Sequence, residues 1–193
     1  MSIYCDLLGT FSCSPCVRSE AGGIDAVVIV TPGTPLPDPT DKQTWFDAIC
    51  SGLAVPIQKT RGSLEVEAVT VPGYGRTPTQ TISYNYTLSI NLQYQCDNAE
   101  FFNQLNFRPN QYEVWYVGAT KIYRAGNRVA FNIMSPISED VNSLVETVAE
   151  ITWSQQEGSP VCYDRPADIF DGCDAYAALE NCLTCNQVVV DLC

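Results

Sequence analysis

The chain has no histidine, so it lacks the side chain that most often acts as a general base or binds a metal at neutral pH. This absence excludes an ordinary serine–histidine–aspartate triad, and no Gly-x-Ser-x-Gly motif is present. Two acidic pairs occur in predicted strands, Glu65 with Glu67 and Glu146 with Glu150. Exposure of these carboxylates to solvent on a strand face is a simpler explanation than a catalytic pair. The sequence therefore predicts a protein that is not an enzyme and that needs no cofactor.

Positive charge is also scarce, since 10 lysines and arginines stand against 22 acidic residues, for a net charge of −12. Proteins bind nucleic acid largely by neutralising phosphates with Lys and Arg, and this chain has no run of four basic residues. The longest apolar run, residues 24–30, is interrupted by Asp25 and is too short to span a bilayer. The N-terminus lacks the basic and apolar segments of a signal peptide. We therefore expect synthesis in a cytoplasm, no membrane partner and no specific binding of DNA.

Ten cysteines are present, most of them near the two ends of the chain. Four of them form two Cys-x-x-Cys pairs, which is the ligand count of a four-cysteine zinc site: Cys13, Cys16, Cys182 and Cys185. About 165 residues separate the two pairs, whereas compact zinc modules use roughly 12–20. Zinc binding by these cysteines is thus a weak alternative. The favoured interpretation is that the cysteines are structural and hold the terminal arms in place, or that their thiols have no role.

The length of 193 residues is typical of a single domain. We divide it into an N-terminal arm (1–23), a β domain (24–160) and a Cys-rich C-terminal arm (161–193). Residues 24–31 are mostly β-branched and apolar, which predicts a buried strand. A proline-rich loop follows, and then Thr40 or Asp41 begins a short helix that Gly52 ends. A second short helix is predicted over residues 98–105.

Alternation of apolar and polar residues predicts the main strands of the β domain. The pattern begins at Leu64 and returns in residues 145–153. Short strands separated by turns at Gly118 and Gly126 are predicted at residues 112–117, 121–125 and 129–133. The sequence therefore predicts a mainly β fold, a β-sandwich or barrel with one or two short flanking helices and Cys-rich terminal arms.

The longest alternating segment covers residues 79–94 and would span roughly 50 Å, two to three times the length of a usual strand. Its polar face carries no charge. A long strand of this kind is an aggregation hazard on an isolated monomer, so we expect neighbouring subunits or an enclosed channel to cover it. The predicted assembly or lumen residues are Ser83, Asn85, Thr87, Ser89, Asn91 and Gln93.

The order of these parts resembles the tail-tube-type structural proteins of tailed bacteriophages. The resemblance lies in an N-terminal arm that leads through Gly22-Gly23 into a strand, in the long strand from Thr79 and in Phe101-Phe102-Asn103. It continues in residues 112–117, in residues 145–154 and in Tyr163-Asp164-Arg165-Pro166. It covers about residues 20–170 and includes no signature motif, and the Cys-rich C-terminal arm departs from it.

The resemblance implies a homo-oligomer of stacked hexameric rings, located in the virion and made in the host cytoplasm. Its partners would be further copies and other virion proteins, and DNA would pass through an acidic or neutral lumen without specific binding. Other virion roles stay open, namely a connector, a tail terminator or a head decoration protein. A monomeric carbohydrate-binding β-sandwich is a further alternative, in which Tyr74, Tyr84 and Tyr86 would supply the aromatic surface.

Overall fold

The computed structural model describes residues 23–58, 61–73, 75, 78–93, 99–126, 128–134, 146–166 and 170. Within them the chain forms nine strands and two helices. In chain order these are β1 (Ala26–Val30), α1 (Lys42–Cys50), β2 (Ala54–Gln58), β3 (Arg61–Val71), β4 (Gln80–Gln93), α2 (Ala99–Phe107), β5 (Glu113–Val117), β6 (Lys121–Arg124), β7 (Ala130–Met134), β8 (Glu146–Gln155) and β9 (Val161–Asp164).

The strands form two antiparallel sheets, and the prediction of a mainly β fold with two short helices is confirmed. The five-stranded sheet has the order β2-β1-β5-β6-β9, and the four-stranded sheet has the order β3-β4-β8-β7. The four-stranded sheet is built around the long β3–β4 hairpin, in which Val71 pairs with Gln80 at one end and Arg61 with Asn91 at the other.

The main core lies between the two sheets, because alternate residues of each strand point to the same side. Val27 and Tyr116 of the five-stranded sheet belong to the same buried cluster as Leu88 and Ile151 of the four-stranded sheet. Within that core Tyr86 stacks on the ring of Trp153, with centroids 5.2 Å apart. Burial of this apolar surface is the main force that holds the sheets together.

A second core covers the opposite face of the five-stranded sheet. Trp45 of α1 is fully buried there and contacts Trp115 and Phe170 edge-to-face at centroid distances of 5.3 and 5.4 Å. The Trp45 Nε1 donates a hydrogen bond to the Pro39 carbonyl oxygen at 2.8 Å. Strand β1 is thereby buried on both faces, which explains why its sequence is a continuous apolar run instead of an alternating one.

Two strands were not predicted. Strand β2 contains Pro56, a residue that usually argues against a strand, and β9 has only four residues, three of them exposed. Because β9 pairs with β6, the sandwich extends past residue 160, where we predicted the C-terminal arm to begin. The Arg165 Nη1 then bonds to Asp25 Oδ2 at 2.8 Å and to the Gly118 carbonyl oxygen at 2.9 Å.

The predicted N-terminal arm lies outside the described residues except for Gly23, and so does most of the predicted C-terminal arm. In the described part of the chain, neither helix has the length and apolar character that crossing a membrane requires.

Candidate assembly surface

The predicted assembly residues all lie in β4, and the side chains described there alternate with the buried Tyr86, Leu88 and Ile90 on the inner face. They are Ser83, Asn85, Thr87, Ser89, Asn91 and Gln93. Strand pairing adds acidic residues to this outer face, since Glu65 and Glu67 of β3 and Glu150 of β8 pair with β4 residues that point outward. The uncharged face of β4 therefore belongs to a sheet surface that carries negative charge.

Three of the four edge strands have features that prevent another strand from adding to them. In the five-stranded sheet, β2 carries Pro56, whose nitrogen cannot donate to a ladder, and β9 is only four residues long. Helix α2 covers the third edge strand, β7.

Asn106 of α2 makes two hydrogen bonds to the outer edge of β7. Its Nδ2 donates to the Ile133 carbonyl oxygen at 2.9 Å, and the Ile133 N–H donates to Asn106 Oδ1 at 2.8 Å. Just after the helix, the Asn110 N–H donates to the Val129 carbonyl oxygen at 2.8 Å. The side-chain amide thus takes the place of a neighbouring strand at this edge.

Within the described ranges, the fourth edge strand, β3, has none of these features. It is 11 residues long, about 37 Å, contains no proline and pairs only with β4 among the described residues. In an antiparallel strand the backbone groups of alternate residues point to opposite sides, so about half of those in β3 point away from β4. Long, open edges of this kind are sites where a further chain can add.

Apolar side chains are exposed along the same edge. Val66 lies on the inner face in one cross-strand row with Tyr86 and Trp153, but its edge position leaves it 45% exposed. Beyond Tyr84 the β3–β4 hairpin has no pairing with β8, and Ile82 in this projecting part is 52% exposed. We predicted a half-buried strand from the alternation at Leu64, and the structure shows that its inner face is only partly covered.

The weaker predicted sites are only partly within the described residues. The four cysteines of the possible zinc site, Cys13, Cys16, Cys182 and Cys185, lie outside them. Of the cysteines that are described, Cys50 is disulfide-bonded and Cys162 is free and exposed. No group of three metal-ligating side chains occurs in the described part of the chain.

The aromatic residues suggested for sugar binding do not form a shared exposed surface. Tyr86 is fully buried, its hydroxyl donates to the Glu157 carbonyl oxygen at 2.7 Å, and burial raises the pKa of its phenol. Tyr84 packs against Gly158, where an added Cβ would lie 2.8 Å from the ring. Tyr74 lies outside the described residues.

Replacement of Asn106 by leucine should destabilise the protein by about 1–3 kcal/mol, because the N–H and C=O of Ile133 would lose their partners. Urea unfolding of the variant measures this loss. The matched control is Asn103→Leu, an exposed position on the same helix. Equal stability of the two variants would show that the Asn106 bonds do not stabilise the β7 edge.

Neither a scan of protein-family models nor searches of curated proteins and solved structures found a match for this chain.

Proposed function

We propose that the protein is a self-assembling structural subunit in which a neighbouring copy covers the β3 edge. The observation that carries this proposal is the difference between the four sheet edges: three are protected, and the longest is left open by the described part of the chain and is lined by exposed apolar side chains. A monomer with such an edge would tend to aggregate, whereas an assembly would bury it.

Within this class, we propose a tail-tube role in a phage virion, with six copies in each ring. The four-stranded sheet supports a ring because its two edges differ, with β3 at one edge and β7 under α2 at the other, so that each copy can contact the next through the same pair of unlike surfaces. The outer face of β4, with Glu150 beside it, would line the channel. Because β4 itself carries no cation, DNA could pass along its polar face without being bound there.

Electron microscopy of the purified protein, together with its mass in solution, tests this function. We expect rings or stacked rings with a central hole and a mass of several chains. A protein that stays at the mass of one chain at high concentration would contradict the proposal. Binding of that monomer to a glycan array would then favour the carbohydrate-binding alternative.

A further inference from the structure

Two exposed glutamates and two exposed arginines lie at opposite edges of the four-stranded sheet. Glu65 and Glu67 are exposed on β3, while Arg108, just after α2, and Arg128, just before β7, are exposed on the other side. Among the described residues, none of these four side chains forms an ion pair, whereas Lys121, Arg124 and Arg165 each do. Arg108 and Arg128 therefore lie at one edge, and Glu65 and Glu67 lie at the other.

Glu67 and Arg128 also face the same side of the sheet. Glu67 and Arg128 both line a concave surface on the outer face, together with Asn85 of β4 and Ser154 of β8. The hydrogen bond from the Asn110 N–H to the Val129 carbonyl oxygen holds the segment that contains Arg108 close to Arg128. Copies placed side by side with this face inward would therefore bring acidic edge and basic edge together.

Exposed apolar side chains accompany the charges on both edges. Phe107 is 83% exposed and Met134 is 51% exposed on the side of α2 and β7. On β3, Val66 lies between the two glutamates in sequence. Val66 and the two glutamates lie on opposite faces of β3, so this edge offers a partner an apolar side and a charged side, and specific protein interfaces combine an apolar core with a polar rim.

We infer that the copies associate head to tail, with the β3 edge of one copy against the α2–β7 side of the next. This inference rests on the proposed function and specifies its interface: Glu65 and Glu67 meet Arg108 and Arg128, and Val66 meets Phe107. Because the two surfaces differ, the contact is heterologous and closes into a ring when the rotation allows. A two-fold contact between two β3 strands would instead bring four glutamates together, and this repulsion disfavours it.

Charge reversal on each side tests the pairing. The double variant E65R/E67R would make both contacting surfaces basic, and R108E/R128E would make both acidic. Each variant alone should need at least a tenfold higher concentration than the original chain to form rings, as measured by sedimentation. An equimolar mixture of the two should form rings at the original concentration, since each altered edge then meets its complement. The matched controls, D47R and K42E, reverse exposed charges on α1, away from these edges, and should assemble normally.

The outcomes separate the interface from the function. If R108E/R128E assembles normally while E65R/E67R does not, the contact is two-fold through β3 and the head-to-tail inference is overturned. If both variants assemble normally, the inference is overturned while the proposed function stands. If the original chain forms no assembly, the proposed function fails first. Circular dichroism and thermal unfolding first establish that each variant is folded, so that a loss of assembly can be assigned to the contact between copies.

Discussion

Replacement of Val66 by lysine is expected to prevent ring formation at concentrations where the original chain assembles, while the subunit stays folded. Full burial of a valine side chain contributes about 1.5–3 kcal/mol, so burial of its exposed half should contribute on the order of 1 kcal/mol to each contact. A lysine there would also lose hydration in the interface, which adds to the loss. Together these effects should raise the concentration needed for assembly at least tenfold, as measured by sedimentation and by electron microscopy.

The matched control for this experiment is Val161→Lys. Val161 is 57% exposed and lies on β9, the edge strand of the other sheet. Because that edge has only four residues and is not part of the proposed contact, this variant should assemble like the original chain. Normal assembly of the Val66 variant would contradict the assignment of β3 to the interface. Loss of assembly in both variants would point to a general effect of added charge.

Replacement of Trp45 by alanine should lower the free energy of unfolding by about 3–5 kcal/mol, the usual cost of truncating a buried aromatic side chain. Trp45 is fully buried, contacts the rings of Trp115 and Phe170 and bonds to the Pro39 carbonyl oxygen. The cavity would open between α1 and the five-stranded sheet. Since domains are stable by only about 5–15 kcal/mol, urea unfolding should show a much lower midpoint.

The conservative variant Trp45→Phe separates packing from hydrogen bonding. It keeps an aromatic ring in the second core but removes the donor to Pro39, so it should lose clearly less stability than alanine. A loss below about 1 kcal/mol for Trp45→Ala would mean that α1 contributes little to the stability of the fold.

Local patterns predicted the elements whose residues carry their own signals. Alternation over residues 79–94 predicted β4, which the structure places at Gln80–Gln93. The helix predicted to start at Thr40 or Asp41 is α1, and Asp41 is its N-cap, with a side chain that accepts a bond from the Gln43 N–H. Such signals are readable because they depend on neighbours within a few residues.

The sequence did not predict strands β2 and β9, because their formation depends on distant partners. β2 becomes a strand by pairing with β1 in spite of Pro56, and β9 by pairing with β6 some forty residues earlier in the chain. Neither segment has alternation strong enough to reveal this pairing. Tertiary contacts commonly override weak local preferences in this way.

The sequence by itself determined the mainly β class and which side chains of the long strand point outward, since alternation along one strand sets its two faces. Only the tertiary structure decided which sheet edge is open. Asn106 and Ile133 are far apart in the chain, yet their two hydrogen bonds cover the β7 edge and leave β3 as the long edge strand that no described segment covers. The negative charge beside the polar face of β4 was likewise decided by Glu65 and Glu150 on neighbouring strands. A face is a local property of one strand, whereas an edge and its charge depend on which strands the fold places side by side.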